Sequence, residues 1–288
     1  MRVAVIGARG QLGRALLAHF ADHEAVGWTH DDLEVADLGA VRAAVGAVRP
    51  DVVVNTAAFH RVDECEADPE RAFRVNALGA RNVAVAATGV GARVLYVSSD
   101  YVFGGDPRAR PWSEFDPPAP VNVYGRSKLA GEELTRALCP RHFIVRVSGL
   151  FGPGGSRDKG GNFVEKILRQ AETAEEIRVV TDVHFSPTFT WDAARVVAAL
   201  VATEAYGTYH VVNQGIASWF DLAAHALRLA GRRVRLVPVT LDELALAAPR
   251  PRYSALDPMH LRLDGWPLPR PWPEALAAYL TALVPTSA

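Results

Sequence analysis

Apolar residues fall in two rhythms along this chain. Through the first half, short runs dense in Val, Ile and Leu alternate with longer stretches whose apolar positions recur every three to four residues. That is the pattern of strands alternating with one-sided helices. Residues Arg2–Ile6 (RVAVI) read as a buried strand, and 25–29, 51–55 (DVVVN), 93–98 (RVLYVS) and 143–147 as four more. Between them the spacing predicts helices over 11–21, Leu38–Val48, 69–88 and 124–138. Pro69 suits a first helical position, where a missing N–H costs nothing. Strands apolar on both faces, each followed by a helix, imply a parallel sheet covered on both sides. Right-handed crossovers then give a doubly wound α/β Rossmann sheet.

Beyond Val147 the rhythm loosens. Six glycines and a proline crowd 149–161, the composition of a mobile loop or lid. Helices are expected over 162–174, 191–202, Trp219–Leu229 and 273–283, and short strands over 177–180, 209–212 and 234–237. Prolines gather in 107–120 and 249–273, which favours extended loops. The expected division is a dinucleotide-binding domain over 1–148, joined by segments near 181–212. A smaller C-terminal substrate-binding lobe then takes 149–180 and 213–288, over the carboxyl edge of the sheet where ligands of such folds bind.

Composition narrows the partners. Hydrophobic residues make up 49% and charged residues 22% of the 288, as in ordinary globular proteins, and the formal net charge is −1. Such a balance favours neither nucleic acid nor an anionic membrane surface, and no basic run is interleaved with aromatics. No stretch approaches the ~20 apolar residues of a membrane helix. Cys65 and Cys139 have no zinc-type or Cys-x-x-Cys spacing, and the histidines are scattered. Reduced thiols, a cytoplasmic location and no metal site are the expectations.

Three motifs carry chemistry. Gly7-Ala8-Arg9-Gly10-Gln11-Leu12-Gly13 follows the first strand and opens a helix, so backbone N–H groups can approach a pyrophosphate. Tyr124 and Lys128, four residues apart, share one helix face. There an ammonium would stabilise the phenolate and bring the tyrosine into general acid/base range. The pair Ser98-Ser99 upstream would hold the reacting oxygen against that tyrosine. In this order they describe a site that binds a nicotinamide dinucleotide and moves a hydride to or from an alcohol or ketone.

Cofactor choice rests on the end of the second strand. Arg9 could reach a 2′-phosphate, which favours NADP(H), whereas Asp31 or Asp32 could bind a ribose and leave NAD(H) open. Asp37, before Leu38, either accepts from the adenine amino group or simply caps a helix. Thr56, Ala57 and Ala58 are small enough to let the cofactor lie on the third strand. Asn76, a poor helix former in mid-helix, is expected to bond backbone near the active strand. A serine hydrolase would need Gly-x-Ser-x-Gly, which is absent.

Nearly end to end, the chain resembles the extended short-chain dehydrogenases/reductases, and within them the dTDP-4-dehydrorhamnose reductase branch. The likeness is carried by the glycine segment with its Gln-Leu-Gly and by Asp51-Val52-Val53-Val54-Asn55-Thr56-Ala57-Ala58 with Val62-Asp63. Ser98-Ser99-Asp100-Tyr101-Val102-Phe103 and Tyr124-Gly125-Arg126-Ser127-Lys128 carry it further. Gly161-Asn162-Phe163-Val164, Ser186-Pro187-Thr188, Arg250-Pro251, Ser254, Leu256 and Trp272 resemble elements of the substrate lobe.

The resemblance implies reduction of a nucleotide-linked 4-keto-6-deoxy sugar at C4, with Tyr124 donating the proton. Lys128 would lower the tyrosine's pKa and bind the nicotinamide ribose, and Ser99 would position the carbonyl oxygen. Cofactor contacts fall to Gly7, Arg9, Gly10, Gln11, Leu12, Gly13, Asp37, Leu38, Thr56, Ala57, Ala58 and Asn76 besides Tyr124 and Lys128. Sugar contacts fall to Val62, Asp63, Ser99, Asp100, Phe151 and Asn162. The branch typically places a tryptophan where Gly149 stands, packing on the sugar, and Phe151 is the expected substitute. A homodimer is compatible with the resemblance, and no metal ligands carry over.

Two other readings stay open. An epimerase or dehydratase shares the triad, although Asp100 is followed by Tyr101 rather than glutamate. A non-catalytic dinucleotide-binding subunit, as serves methionine adenosyltransferase, would retain the glycine motif without turnover.

Overall fold

A computed structural model describes residues 1–106, 110–154 and 160–283. Pro107 of the proline-rich stretch, and 155–159 of the glycine-rich segment read as a lid, lie outside the described residues. Strands β1 (Arg2–Ile6), β2 (Glu24–Trp28), β3 (Val52–Asn55), β4 (Arg93–Ser99) and β5 (His142–Val147) match the predicted runs to within a residue at each end. A sixth, β6 (Gly207–His210), starts two residues before its prediction and pairs with β5. The order across the sheet is β6-β5-β4-β3-β1-β2, all parallel. The order reverses at β1, the switch point at whose carboxyl edge such sheets bind ligands.

Strand periodicity of two divides the core into two layers. Val3, Val5, Val52, Val54, Leu95 and Val97 face one way, towards Leu12 and Leu16 of α1 (Gln11–His19) and Val197 and Leu200 of helix Thr190–Val201. Ala4, Ile6, Val53 and Val94 face the other way. They meet Val41 and Val45 of α2 (Leu38–Val48) and Val83 and Ala87 on the helix beyond β3.

The predicted helix over 69–88 is not uniform. It runs as α4 (Pro69–Phe73), a π-helical turn at Arg74–Leu78, and α5 (Gly79–Gly89); a short α3 (Val62–Ala67), absent from the sequence reading, precedes it. The extra residue of a π turn re-aims side chains and recurs at functional sites. Here it carries Asn76. Helix α6 (Val123–Leu138) starts where Asn122 Oδ1 accepts from Gly125 N at 2.8 Å and Glu66 Oε1 accepts from Val123 N at 2.8 Å.

Among the described residues the remaining chain builds a parallel strand pair, Glu176–Val180 with Arg235–Val239, a short helix Met259–Leu263 and three longer helices. Two of them, Phe163–Gln170 and Trp219–Leu229, begin with reciprocal capping boxes, Asn162 with Glu165 and Ser218 with Asp221. The third, Trp272–Leu283, packs Tyr279 against Phe151 and Phe189. No helix among the described residues is long and apolar enough to cross a membrane.

Candidate active site

After β1 the chain turns through Gly7 at φ 84°, where a Cβ would lie 2.4 Å from Thr56 Oγ1. A Cβ on Gly13 would lie 2.3 Å from Gly7 O, so α1 can sit directly under the turn only because both residues are glycine. Thr56 Oγ1 fastens the turn from β3, donating to Ile6 O at 2.8 Å. Helix α1 has Gly10 as N-cap, no capping side chain and no acidic residue in its first turn. Its N–H groups and positive end are therefore left for an anion. Gln11 Oε1 is buried without a partner among the described residues. Leu12 is 4% exposed and belongs to the core, so only its backbone can serve a ligand. Ala57 N donates to Asn55 Oδ1 at 3.1 Å, and Ala58 follows half-buried. These residues fit the pyrophosphate and ribose of a dinucleotide.

Other cofactor candidates have partners of their own. Asp37 caps α2, accepting from Gly39 N and Ala40 N at 2.8 and 3.0 Å, ahead of Leu38. Exposed Arg9 is paired with Asp31 at 2.5 Å, and Asp32 accepts from Thr29 N and Oγ1 at 2.9 and 2.6 Å, which draws its carboxyl below the usual range. Asn76 is wholly buried. Its amide accepts from Phe59 N at 2.8 Å and donates to Phe59 O and Ser127 Oγ, each at 2.9 Å. It shapes the loop after β3 and braces α6.

Ser99 ends β4, and Tyr124 and Lys128 lie one turn apart on α6, which packs against that strand. Lys128 is 1% exposed; Nζ donates to Val97 O at 2.7 Å and sits 4.1 Å above the Tyr96 ring. Burial pulls its ammonium down to about 7, with Glu132 acting the other way. The Tyr124 pKa is raised rather than lowered, and Lys128 is not among the causes of the shift. Burial pushes the phenol up, a hydrogen bond with Ser99 opposes this, and Asp100, Cys65 and Tyr101 add to the rise. Tyr101 meets Tyr124 edge-on at 5.7 Å.

The sugar candidates divide. Val62 opens α3, and Asp63 beside it remains partly exposed while accepting from Arg250 at 2.7 Å and from Ala248 N at 3.0 Å. Asp100, Asn162 and Phe151 are 4%, 4% and 1% exposed and have partners inside the protein. Asn162 caps its helix and donates to Tyr279 Oη at 2.8 Å. Phe151 is stacked on Phe189 at 5.7 Å. Both line a cavity of about 230 Å³ with Gln11, Gly149, Lys166 and Trp219.

Phe185 fills the space beside Gly149 that a Cβ would enter. A Cβ on Gly149, which has φ 47°, would lie 2.2 Å from Phe185 Cε2. Phe185 in turn stacks on Trp219 at 4.0 Å, and Phe163 meets Trp219 at 4.6 Å. Nothing local in the sequence signals this contact. Gly149→Ala is accordingly expected to cost at least about 1–2 kcal/mol through backbone strain alone, with the Phe185 clash added. Gly149→Trp should destabilise the fold without re-creating an aromatic wall. Thermal melts check this, and an unshifted melting temperature in Gly149→Ala would show that Phe185 gives way freely.

A family model described as the RmlD substrate binding domain matches residues 1–284. The chain is 41% identical over 281 residues to the spore coat polysaccharide biosynthesis protein SpsK of Bacillus subtilis, covering 97% of this chain and 96% of that protein. It is also 41% identical over 293 residues to the dTDP-4-dehydrorhamnose reductase of Streptomyces griseus, covering 98% and 94%. A solved dTDP-4-dehydrorhamnose reductase from Bacillus anthracis, in complex with NADP, is 39% identical with a TM-score of 0.93, covering 98% of this chain and 99% of that one.

Proposed function

The chain belongs to the RmlD substrate binding domain family of extended short-chain dehydrogenases/reductases, and from that premise we propose that it is an NADPH-dependent dTDP-4-dehydrorhamnose reductase. One observation carries this reading: Ser99, Tyr124 and Lys128 stand together on the carboxyl edge of the sheet that also bears the Gly7 turn. Bound NADPH supplies the hydride that reduces the sugar's C4 carbonyl. The Gly7–Gly13 backbone, Thr56 and Ala57 hold the dinucleotide, while Arg9 takes its 2′-phosphate. Tyr124, kept as a phenol by burial, enters the reduction with a proton to give to the C4 oxygen. Ser99 fixes that oxygen, Lys128 engages the nicotinamide ribose, and Val62 and Asp63 border the sugar.

The division of labour follows: 1–148 with the segments near 181–212 carries the dinucleotide, and the rest carries the sugar. Both cysteines are buried thiols, in keeping with a cytoplasmic enzyme. The test is loss of NADPH absorbance with dTDP-4-dehydrorhamnose, run beside other nucleotide-linked 4-keto sugars. Turnover separates the reductase from a non-catalytic subunit, and an unchanged redox state of the cofactor would instead mark an epimerase.

Cofactor choice gives a second test. NADPH must draw Arg9 away from Asp31, so Arg9→Ala should weaken NADPH binding by about 1.5–3 kcal/mol, as for a charged hydrogen bond. NADH affinity should barely move, and Asp31→Asn should tighten NADPH. Equal losses of both cofactors in Arg9→Ala would remove Arg9 from the phosphate site.

A further inference from the structure

Lys128 is buried, yet among the described residues it makes no ion pair. A buried ammonium without a carboxylate sheds its proton unless something else favours the charge. Burial pulls this one down to about 7, and Glu132, one turn on along α6, acts the other way. That carboxylate is already committed to Arg146 through two bonds of 2.8 and 2.7 Å, so much of its charge is balanced there. What lies directly against the ammonium is the buried ring of Tyr96 on β4, its centroid 4.1 Å from Nζ.

The ring is fixed where it stands. Tyr96 Oη donates to Asn76 O at 2.9 Å, within the π-helical turn Arg74–Leu78. Asn76 Nδ2 donates to Ser127 Oγ at 2.9 Å, and Ser127 Oγ donates to Tyr124 O at 2.8 Å, beside Lys128 on α6. Three residues on, a Cβ on Gly131 would lie 2.4 Å from Tyr96 Oη and 2.5 Å from Asn76 O. Helix α6 therefore rests on the ring only because that residue is glycine. Burial, then Tyr124 and Glu132, push the Tyr96 phenol far above its usual value. The contact is thus a cation over a neutral π face, which attracts the charged lysine and not the neutral amine. An ammonium has three donors. Val97 O takes one at 2.7 Å, the ring faces another, and one is left for a ligand hydroxyl. We propose that Tyr96 is a positioning residue whose ring face keeps the Lys128 ammonium charged and in place for the nicotinamide ribose. What the ammonium touches rests on the reductase reading; the charge itself is open to direct measurement. The titratable and charged groups around Lys128 are Tyr96 from β4 and Tyr124 and Glu132 from α6, with Arg146 of β5 beyond Glu132.

The chain has three lysines, Lys128, Lys159 and Lys166, so carbon-13 at lysine Cε gives three NMR resonances, assigned with Lys159→Arg and Lys166→Arg. With NADPH bound, the Lys128 resonance is followed against pH in wild type, Tyr96→Phe and Tyr96→Leu. A fourth chain carries trifluorophenylalanine at position 96, which keeps the ring's shape and cancels its negative face. Tyr96→Phe should keep the wild-type midpoint. Leucine and the fluorinated ring should each lower it by about one pH unit, the tenfold in proton affinity of a desolvated cation–π contact. With dTDP-4-dehydrorhamnose added, kcat should fall with rising pH through the same midpoint. At pH 8 Tyr96→Leu should then be slower than wild type by on the order of tenfold, with KM for the sugar unchanged. A midpoint unmoved by the fluorinated ring overturns the inference, and that chain decides the matter if the leucine variant does not fold. A midpoint lowered as far by Tyr96→Phe also overturns it, because the effect would then belong to the hydroxyl. Absence of turnover by the wild-type chain, with the expected NMR midpoints, would overturn the reductase reading and leave the hold of Tyr96 on the charge supported.

Discussion

Tyr124→Phe is expected to lower kcat by about 10²–10⁴-fold, the range of general acid catalysis. At the transition state that is about 3–5.5 kcal/mol. The substitution removes one oxygen and keeps the ring that meets Tyr101 at 5.7 Å, so packing and cofactor affinity should be nearly retained. Burial already holds this phenol in its protonated form, which suits a residue that gives a proton to a new alkoxide. The comparison is kcat against the NADPH dissociation constant, the latter from fluorescence titration. A variant that reduces substrate at close to the parent rate would take the acid role away from Tyr124.

The second large effect concerns stability. Arg146 and Glu132, 3% and 0% exposed, form a two-bond ion pair between β5 and α6 at 2.8 and 2.7 Å. Phe103 packs beneath the guanidinium at 5.1 Å, and His210 Nε2 lies 3.4 Å from it. Burial and that guanidinium keep His210 neutral, far below the usual histidine range. Arg146→Met strands a buried carboxylate one turn beyond Lys128, which should cost about 3–5 kcal/mol in urea unfolding. Arg136, 3.8 Å from Glu132 but half exposed, is placed to recover only a little of that loss. Adding Glu132→Leu should restore most of it, because the cost lies in the unpaired charge rather than in the missing pair. A loss below about 1 kcal/mol in the single variant would mean that water reaches Glu132.

What was legible in the sequence was whatever is periodic or local. The valine runs of β1, β3 and β5 are apolar on both faces, and the helices between them imply a parallel sheet covered on both sides. The residues of the glycine turn are neighbours along the chain, as are Tyr124 and Lys128, so spacing alone picked out each motif. Some short elements escaped, among them α3 and the Leu150–Phe151 pairing with Thr188–Phe189, because tertiary contacts rather than pattern select them. The contacts of Asp100 escaped for a related reason. Ser148 and Ser254 reach it across 48 and 154 residues, and no periodicity encodes such a meeting. Gly149 was legible as a missing tryptophan, but its packing against Phe185 of the strand His184–Phe185 was not. The direction of the Tyr124 shift was misread because adjacency to a lysine is visible in sequence and the depth of burial is not.

The most direct measurement of the central claim follows the hydride itself. The chain is given dTDP-4-dehydrorhamnose and NADPH deuterated at the transferable position, and the product is examined by proton NMR. One deuterium at sugar C4, formed in step with NADPH loss and slowed at least about a hundredfold in Tyr124→Phe, is the predicted result. Cofactor consumed without deuterium at C4, or a sugar left unreduced while NADPH remains bound, would contradict it.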